Sequence, residues 1–266
     1  MIRPRHAALA LLLFGCRSAA PAPAALQAEP ATANAPSQPP APRVEEPRPA
    51  PPSEVELPRG WDSLPLEEFG ALLEQAFPAD ERRTLAPSAF EELSSALRSD
   101  DPLALRALEL LARCSDPLAG EILLQRLERR GTAQGELAGA IDISAAAAAR
   151  GFPEARNAAA RLEALALGRK PHPDLEVRVE CAASALRLRR ERAGAFLISI
   201  LKHGTRLYAA SSGWKPIADM GFCQRRAAEA LCERAGRPCR FRPLQPLDER
   251  EADIRALETA LAQAHN

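Results

Sequence analysis

Apolar residues recur at intervals of three and four along residues 61–266, the spacing that places them on one face of an α-helix. Leucine and alanine occupy most of these positions, and the strict alternation that marks a β-strand is rare. The pattern therefore predicts an all-α domain. It predicts helices over 64–77, 87–98, 137–150, 153–167, 174–190, 191–203, 219–235 and 248–264, and two more within 100–131.

The stretch 100–131 gives the clearest helix signals. Asp101 and Asp116 each precede a proline, so a capping side chain stands before the residue that is favoured at the first helical position. Gly131, after two arginines, is a typical helix end. Because only a short turn separates the two predicted helices, we expect them to pack antiparallel.

Capping-box spacing marks two further helix starts, at Ser88 with Glu91 and at Asp248 with Glu251. Taken together, the predicted helices form about five pairs of roughly 30–40 residues each. Helix pairs of that length are typical of an α-solenoid, in which each pair buries its apolar face against the next. We expect a short α-solenoid of about five antiparallel helix pairs, with 61–99 as an N-terminal cap.

One predicted helix carries a motif that resembles a known repeat. Residues 174–186 have the pattern D-x-x-V-R-x-x-x-A-A-x-A-L, which resembles the first helix of a HEAT repeat. Residues 101–111 are a looser copy, and a third begins at Arg226. The resemblance covers most of 100–245 and implies a HEAT-like α-solenoid. An irregular helical bundle, or an ARM-like or TPR-like array, is the alternative.

The composition of residues 1–60 differs from that of the rest of the chain. This segment holds thirteen of the 25 prolines, and proline is excluded from helix interiors and central strands. It has few large apolar side chains, so it cannot bury enough surface to offset the entropy lost on ordering. We expect 16–60 to be a disordered Pro/Ala-rich tether.

The chain begins with a pattern typical of export. Arg3, Arg5 and His6 precede an apolar run over 7–15, which is too short to cross a bilayer but long enough for a signal peptide. The run ends in Leu-Phe-Gly-Cys16, which resembles the lipobox of bacterial lipoproteins, although a phenylalanine stands where a small residue is usual.

The lipobox resemblance implies that residues 1–15 are removed and that the Cys16 thiol is acylated. It places the protein in the cell envelope of a bacterium, anchored to the lipid bilayer through Cys16 and facing the periplasm or held in the outer membrane. Lasting attachment requires more than one acyl chain. An ordinary secreted protein with a cleaved signal peptide is the alternative.

Charge and motifs exclude several classes of function. The 35 basic side chains are balanced by 35 acidic ones, so there is no broad field to attract nucleic acid, and we predict no nucleic-acid partner. The sequence has no C-x-x-C, no glycine-rich phosphate loop and no G-x-S-x-G. We therefore predict no metal, no cofactor and no catalytic residue.

One segment interrupts the helical pattern and is a candidate binding loop. Residues 204–218 contain glycine and serine together with Tyr208, Trp214 and Lys215. An exposed aromatic in such a loop is a common binding element. The alternative is that Trp214 folds back and covers a seam between helices.

Five cysteines follow Cys16, and an exported protein meets an oxidising compartment. Cys181 lies where the HEAT pattern has a small apolar residue, and Cys114 ends a predicted helix, so both are predicted to be structural, buried thiols. Cys239 follows Gly236, where the chain can turn back. We predict a disulfide from Cys239 to Cys232 or to Cys223.

These features favour a membrane-anchored, extracytoplasmic scaffold that binds another protein through a HEAT-like helical surface. Solenoids present extended surfaces suited to that task. Two alternatives remain open at this point. The first is a thiol- or cofactor-handling enzyme that resembles HEAT-like lyases, and the second is a purely structural envelope protein.

Overall fold

The computed structural model describes residues 54–78, 83–129, 135–210 and 220–263. Within these ranges the chain forms ten α-helices, one 3₁₀ turn and two strands of two residues each, which confirms the predicted all-α class. Cys16, Trp214 and Lys215 lie outside the described residues, as do the predicted signal peptide and the tether up to residue 53. None of the described helices is both long and apolar enough to cross a bilayer.

The helices lie close to their predicted positions. They are α1 (Leu66–Ala76), α2 (Pro87–Ala96), α3 (Pro102–Ala112), α4 (Pro117–Glu128), α5 (Glu136–Ala149), α6 (Ala158–Leu167), α7 (Leu175–Arg187), α8 (Glu191–Lys202), α9 (Gly221–Arg234) and α10 (Leu247–Gln263). A 3₁₀ turn, η1 (Arg206–Ala210), follows α8. The largest shift is at α6, which starts well after 153 because Asn157 has a left-handed φ of 55° immediately before it.

Aspartate caps begin three of the helices. The Asp101 carboxylate accepts the backbone N–H groups of Leu103 and Ala104, and Asp116 accepts that of Leu118. Asp174 does the same at the start of α7. These bonds satisfy amide groups that have no partner inside the helix. The predicted caps at Asp101 and Asp116 are therefore confirmed.

Helix contacts alternate along the chain. Helices α2 to α5 each pack against the next, as do α6 to α10, and α3, α5, α7 and α9 also contact one another in that order. Helices α2, α4, α6, α8 and α10 make the corresponding series of contacts on the other side. This arrangement gives two layers of helices with one hydrophobic core between them.

Leucine and alanine fill that core, together with a few phenylalanines. A fully buried leucine stabilises the fold by roughly 1.5–3 kcal/mol, while alanine allows two helices to approach closely. Gly120 in α4 packs closely against the segment between α5 and α6. A Cβ at that position would lie 2.5 Å from the Phe152 Cβ and 2.8 Å from the Ala155 Cβ.

The segment before α1 is fixed to the helices that follow it. Strand β1 (Glu54–Val55) pairs in parallel with β2 (Thr84–Leu85). The Trp61 side chain is 4% exposed, and its Nε1 donates to Glu92 at 2.8 Å. Arg106 donates to the Trp61 carbonyl at 3.1 Å. These bonds fasten Val55 and Trp61 to the segment before α2, to α2 and to α3.

Four buried carboxylates tie neighbouring elements together. All four are 5% exposed or less, and each meets an arginine from another part of the chain. The pairs are Asp142 with Arg126, Glu163 with Arg190, Glu180 with Arg226, and Glu251 with Arg206. Because a buried charge is costly unless it is paired, these contacts define which helices can lie side by side.

The most elaborate of these networks surrounds Arg126, which is itself 6% exposed. Its Nε donates to Asp142 at 2.8 Å, and its Nη1 donates to the Leu97 and Ser99 carbonyls at 3.0 and 2.6 Å. The other Asp142 oxygen lies 3.5 Å from His172 Nε2. The network therefore joins α4, α5, the turn after α2 and the segment that leads into α7.

Candidate binding surface and cysteine pair

The segment 235–246, which joins α9 to α10, reverses direction at Gly236. Gly236 has a φ of 63°, a conformation that glycine adopts without the steric cost borne by other residues. Its N–H donates to the Glu233 carbonyl at 3.1 Å, and the Arg237 N–H donates to the Cys232 carbonyl at 3.0 Å. These bonds close the end of α9 and direct the chain back along the helix.

After this reversal the segment is anchored by one side chain and exposes another. Phe241 is 6% exposed and packs into the core, whereas Leu244 is 98% exposed. The Arg242 N–H donates to Gln245 Oε1 at 2.7 Å, and Gln245 Nε2 donates to Asp253 at 2.7 Å. Leu244 is therefore held outward by a segment that is fixed on both sides.

Leu244 stands beside a surface depression of about 870 Å³. Cys239, Arg240 and Arg242 also line it, and the start of α10 contributes Glu249. Both arginines are exposed, and no ion pair joins either of them to a carboxylate within the described ranges. The depression combines an exposed apolar side chain with available positive charge, and we call it the 239–253 surface.

A second, narrower groove runs between α8 and α10. Gly194, Ile198 and Leu261 are among its lining residues, and its volume is about 370 Å³. The Lys202 ammonium contacts Glu258 at 2.7 Å beside it, so the nearby charges already satisfy each other. This groove is therefore less suited than the 239–253 surface to hold a charged partner.

The structure brings Cys239 to Cys232, one of the two partners predicted for it. Cys232 lies in the last turn of α9 and is 4% exposed, whereas Cys239 is exposed. Burial, and then a hydrogen bond with the Cys239 thiol, raises the pKa of Cys232 to about 12. No disulfide joins any of the five described cysteines in this structure.

The other three cysteines are enclosed by helices. Cys114 donates its S–H to the Leu110 carbonyl at 3.2 Å, and Cys223 is 2% exposed on α9. Burial raises the pKa of Cys181 well above its ordinary value. Cys114 and Cys181 are thus buried thiols as predicted, and neither is accessible to a reagent in solution.

Of the three predicted loop residues, only Tyr208 falls within the described residues. It lies in η1, and its ring meets the edge of His203 with centroids 4.8 Å apart and planes at 83°. Burial lowers the pKa of His203. This contact leaves Tyr208 half-buried against α8.

An arginine holds η1 against α10. Arg206 donates to Glu251 from its backbone N–H at 2.8 Å and from its guanidinium, which also meets Asp248. Hydrogen bonds from Arg206 hold the pKa of Glu251 below its ordinary value. The sequence predicted a capping box formed by Asp248 and Glu251. In the structure the Glu251 carboxylate instead accepts hydrogen bonds from Arg206, at the start of the predicted binding loop.

The sequence patterns did not single out Leu244, Arg240 and Arg242 as binding residues. A signal was present, because Leu244 lies between two prolines and outside every helical pattern. An apolar residue in that setting has no helix face to join and is a candidate for exposure. The arginines could not be distinguished by sequence from those that end helices.

Within the described residues, no group of three or more histidine, cysteine, aspartate or glutamate side chains is placed to hold a metal ion. Comparison of the chain with protein-family models, with curated proteins and with solved structures gave no match. The fold and the site together define an all-α protein of two helical layers. Exposed Leu244 and Cys239 line the same depression, and Cys232 lies at the end of α9 that precedes it.

Proposed function

We propose that this chain is a lipid-anchored, extracytoplasmic scaffold that binds another protein through a HEAT-like α-solenoid. The alternating contacts of α2 to α10 support the solenoid, because each layer repeats the same neighbour relation. The motif over 174–186 supports the HEAT resemblance. Its Val177 and Leu186 are buried, and the Arg178 guanidinium lies 5.3 Å from the centre of the Phe196 ring.

The observation that carries the binding function is the exposure of Leu244. Leu244 is 98% exposed on a fixed segment, so its apolar surface contacts water. A bound partner would bury that surface. Exposed Arg240 and Arg242 flank it in the same depression. The chemistry favours a protein segment that inserts an apolar side chain between carboxylates, because those carboxylates would meet the two guanidinium groups.

Replacing Leu244 by alanine is expected to weaken binding by about 10- to 100-fold, because a buried leucine contributes roughly 1.5–3 kcal/mol. A photo-crosslinking amino acid at position 244 of the full chain, expressed in cells, would first identify the partner. Affinity for that partner would then be measured with purified wild-type and Leu244→Ala proteins. Reversing the charge of Arg240 and Arg242 together is expected to lower the association rate and its dependence on salt.

Leu118 provides the matched control, since it is an exposed leucine, at 45%, that lies on α4. Leu118→Ala should leave the affinity unchanged. If positions 118 and 244 crosslink the same products, the contacts are nonspecific. If neither position crosslinks any protein, the proposal of a binding scaffold is wrong and a structural envelope protein is favoured.

The lipid anchor is tested separately, at Cys16. We expect labelled palmitate to enter the wild-type protein and not the Cys16→Ala variant, because the acylated thiol is the attachment point. The variant should also leave the membrane fraction when cells are lysed, since no described helix can replace the anchor. Equal labelling of the two proteins would contradict the anchor without bearing on the helical surface.

A further inference from the structure

We propose that Cys232 and Cys239 form a thiol–disulfide exchange site. Its substrate is an external disulfide, either that of a small molecule such as oxidised glutathione or that of an oxidised dithiol oxidoreductase. The site does not depend on the binding function proposed above, because its chemistry needs no protein partner at Leu244. It selects one of the two pairings open to Cys239 and assigns a role to each sulfur.

The fold brings the two thiols together through a turn closed by backbone bonds. The Gly236 conformation and the bond from the Arg237 N–H to the Cys232 carbonyl return the chain to the last turn of α9. The Cys232 thiol then accepts a hydrogen bond from the Arg240 backbone N–H and shares one with the Cys239 thiol. Contacts on both sides of Cys239 therefore hold its sulfur at Cys232.

Cys223 does not fit the same role. It lies nine positions before Cys232 on α9, and at 100° per residue the two side chains project from opposite sides of that helix. Its side chain is 2% exposed and belongs to the hydrophobic core. A bond from Cys239 to Cys223 would require α9 to rotate or unwind.

Exposure distinguishes the two sulfurs chemically. Cys239 is exposed and lines the 239–253 surface, so an external disulfide can reach it. Cys232 is almost fully buried beside a void of about 10 Å³, which no such molecule can enter. Cys239 is therefore the attacking residue and Cys232 the resolving one.

The reaction has two balanced steps. The Cys239 thiolate attacks one sulfur of the external disulfide, forming a mixed disulfide and releasing one thiolate. Cys232 then loses its proton to solvent and attacks the Cys239 sulfur, which forms the Cys232–Cys239 bond and releases the second thiolate. The two protein thiols are oxidised, and the external disulfide is reduced to two thiols.

Oxidation would join segment 235–246 covalently to α9. Because Cys239 and Leu244 lie on the same segment and line the same depression, the bond would limit how far the 239–253 surface can rearrange. Only this consequence depends on the function proposed above. The formation of the bond does not.

The test uses the full-length lipidated protein, equilibrated in detergent with mixtures of reduced and oxidised glutathione and then digested with trypsin without reduction. Trypsin cleaves after Arg234, so Cys232 and Cys239 fall in separate peptides, over 227–234 and 235–240. We expect these two peptides to be linked in wild type. In Cys232→Ser, Cys239 should instead retain glutathione, at a level at least about tenfold higher than in wild type, because the resolving thiol is missing.

Cys223→Ser is the matched control, since it removes a buried thiol from the same helix. It should leave the linked peptides unchanged. A peptide over 207–225 linked to 235–240 would overturn the assignment in favour of Cys223. Equal retention of glutathione on Cys239 in wild type and in Cys232→Ser would overturn the exchange site altogether. Crosslinking at Leu244 is a separate measurement, so the two proposals can fail independently.

Discussion

Replacing Asp142 by alanine is expected to lower the free energy of unfolding by about 3–5 kcal/mol. The substitution leaves the buried Arg126 guanidinium without its main partner, and His172 Nε2 loses the carboxylate that lies 3.5 Å away. The remaining carboxylate, Asp100, contacts a different nitrogen of the guanidinium and cannot replace both interactions. Urea denaturation of the full chain, followed by far-UV circular dichroism, measures the change.

Two controls separate the buried charge from a general effect of removing an acid. Glu233→Ala breaks the ion pair with Arg187, in which both side chains are 51% exposed, and should cost no more than about 1 kcal/mol. Combining Asp142→Leu with Arg126→Met should recover most of the lost stability, since neither charge then remains buried. A loss below about 1 kcal/mol in Asp142→Ala would contradict a structural role for this network.

Replacing Gly120 by alanine is expected to destabilise the fold, whereas replacing Gly70 by alanine is expected to stabilise it. At Gly120 the new methyl group would overlap Phe152, at 2.5 Å between Cβ atoms, so we expect a loss of about 1–3 kcal/mol. At Gly70, in α1, a Cβ meets no atom within 4 Å. There alanine should stabilise by about 0.5–1 kcal/mol, through helix propensity alone.

Thermal unfolding of the two variants provides the measurement. In a domain of this size the melting temperature is expected to change by about 2–4 °C for each kcal/mol of stability. The pair is well matched, because both substitutions add the same single methyl group to the interior of a helix. A melting temperature that rises in both variants would mean that α4 and residue 152 are not as closely packed as described.

Features that depend on neighbouring residues could be predicted from the sequence. The aspartate caps at Asp101 and Asp116 need only a carboxylate two or three residues before the amide groups it accepts, so spacing identifies them. The helices followed from the recurrence of leucine and alanine for the same reason. Even so, the capping box expected from Asp248 and Glu251 did not determine the role of Glu251, because Arg206, 45 positions away, takes its carboxylate.

Features that depend on distant contacts could not be predicted in this way. Nothing near Asp142 indicates that Arg126 and His172 will enclose it, since that proximity depends on how α4, α5 and the segment before α7 pack together. The pairing of Glu54–Val55 with Thr84–Leu85 involves strands too short to leave an alternating pattern. Pairing Cys239 with Cys232 rather than with Cys223 depends on the turn at Gly236. The sequence indicates a turn there, but it does not give the final position of Cys239.

The parallel pairing at the start of the folded part has a mechanical consequence. Strand β1 is the first described element of the chain, and its bonds to Thr84–Leu85 would resist tension applied at Glu54. Behind that pair, the bond from Trp61 to Glu92 and the Arg106 contacts would carry the load into α2 and α3. The helices that follow, and the segment 235–246 with Leu244 and Cys239, would thus be shielded from the pull.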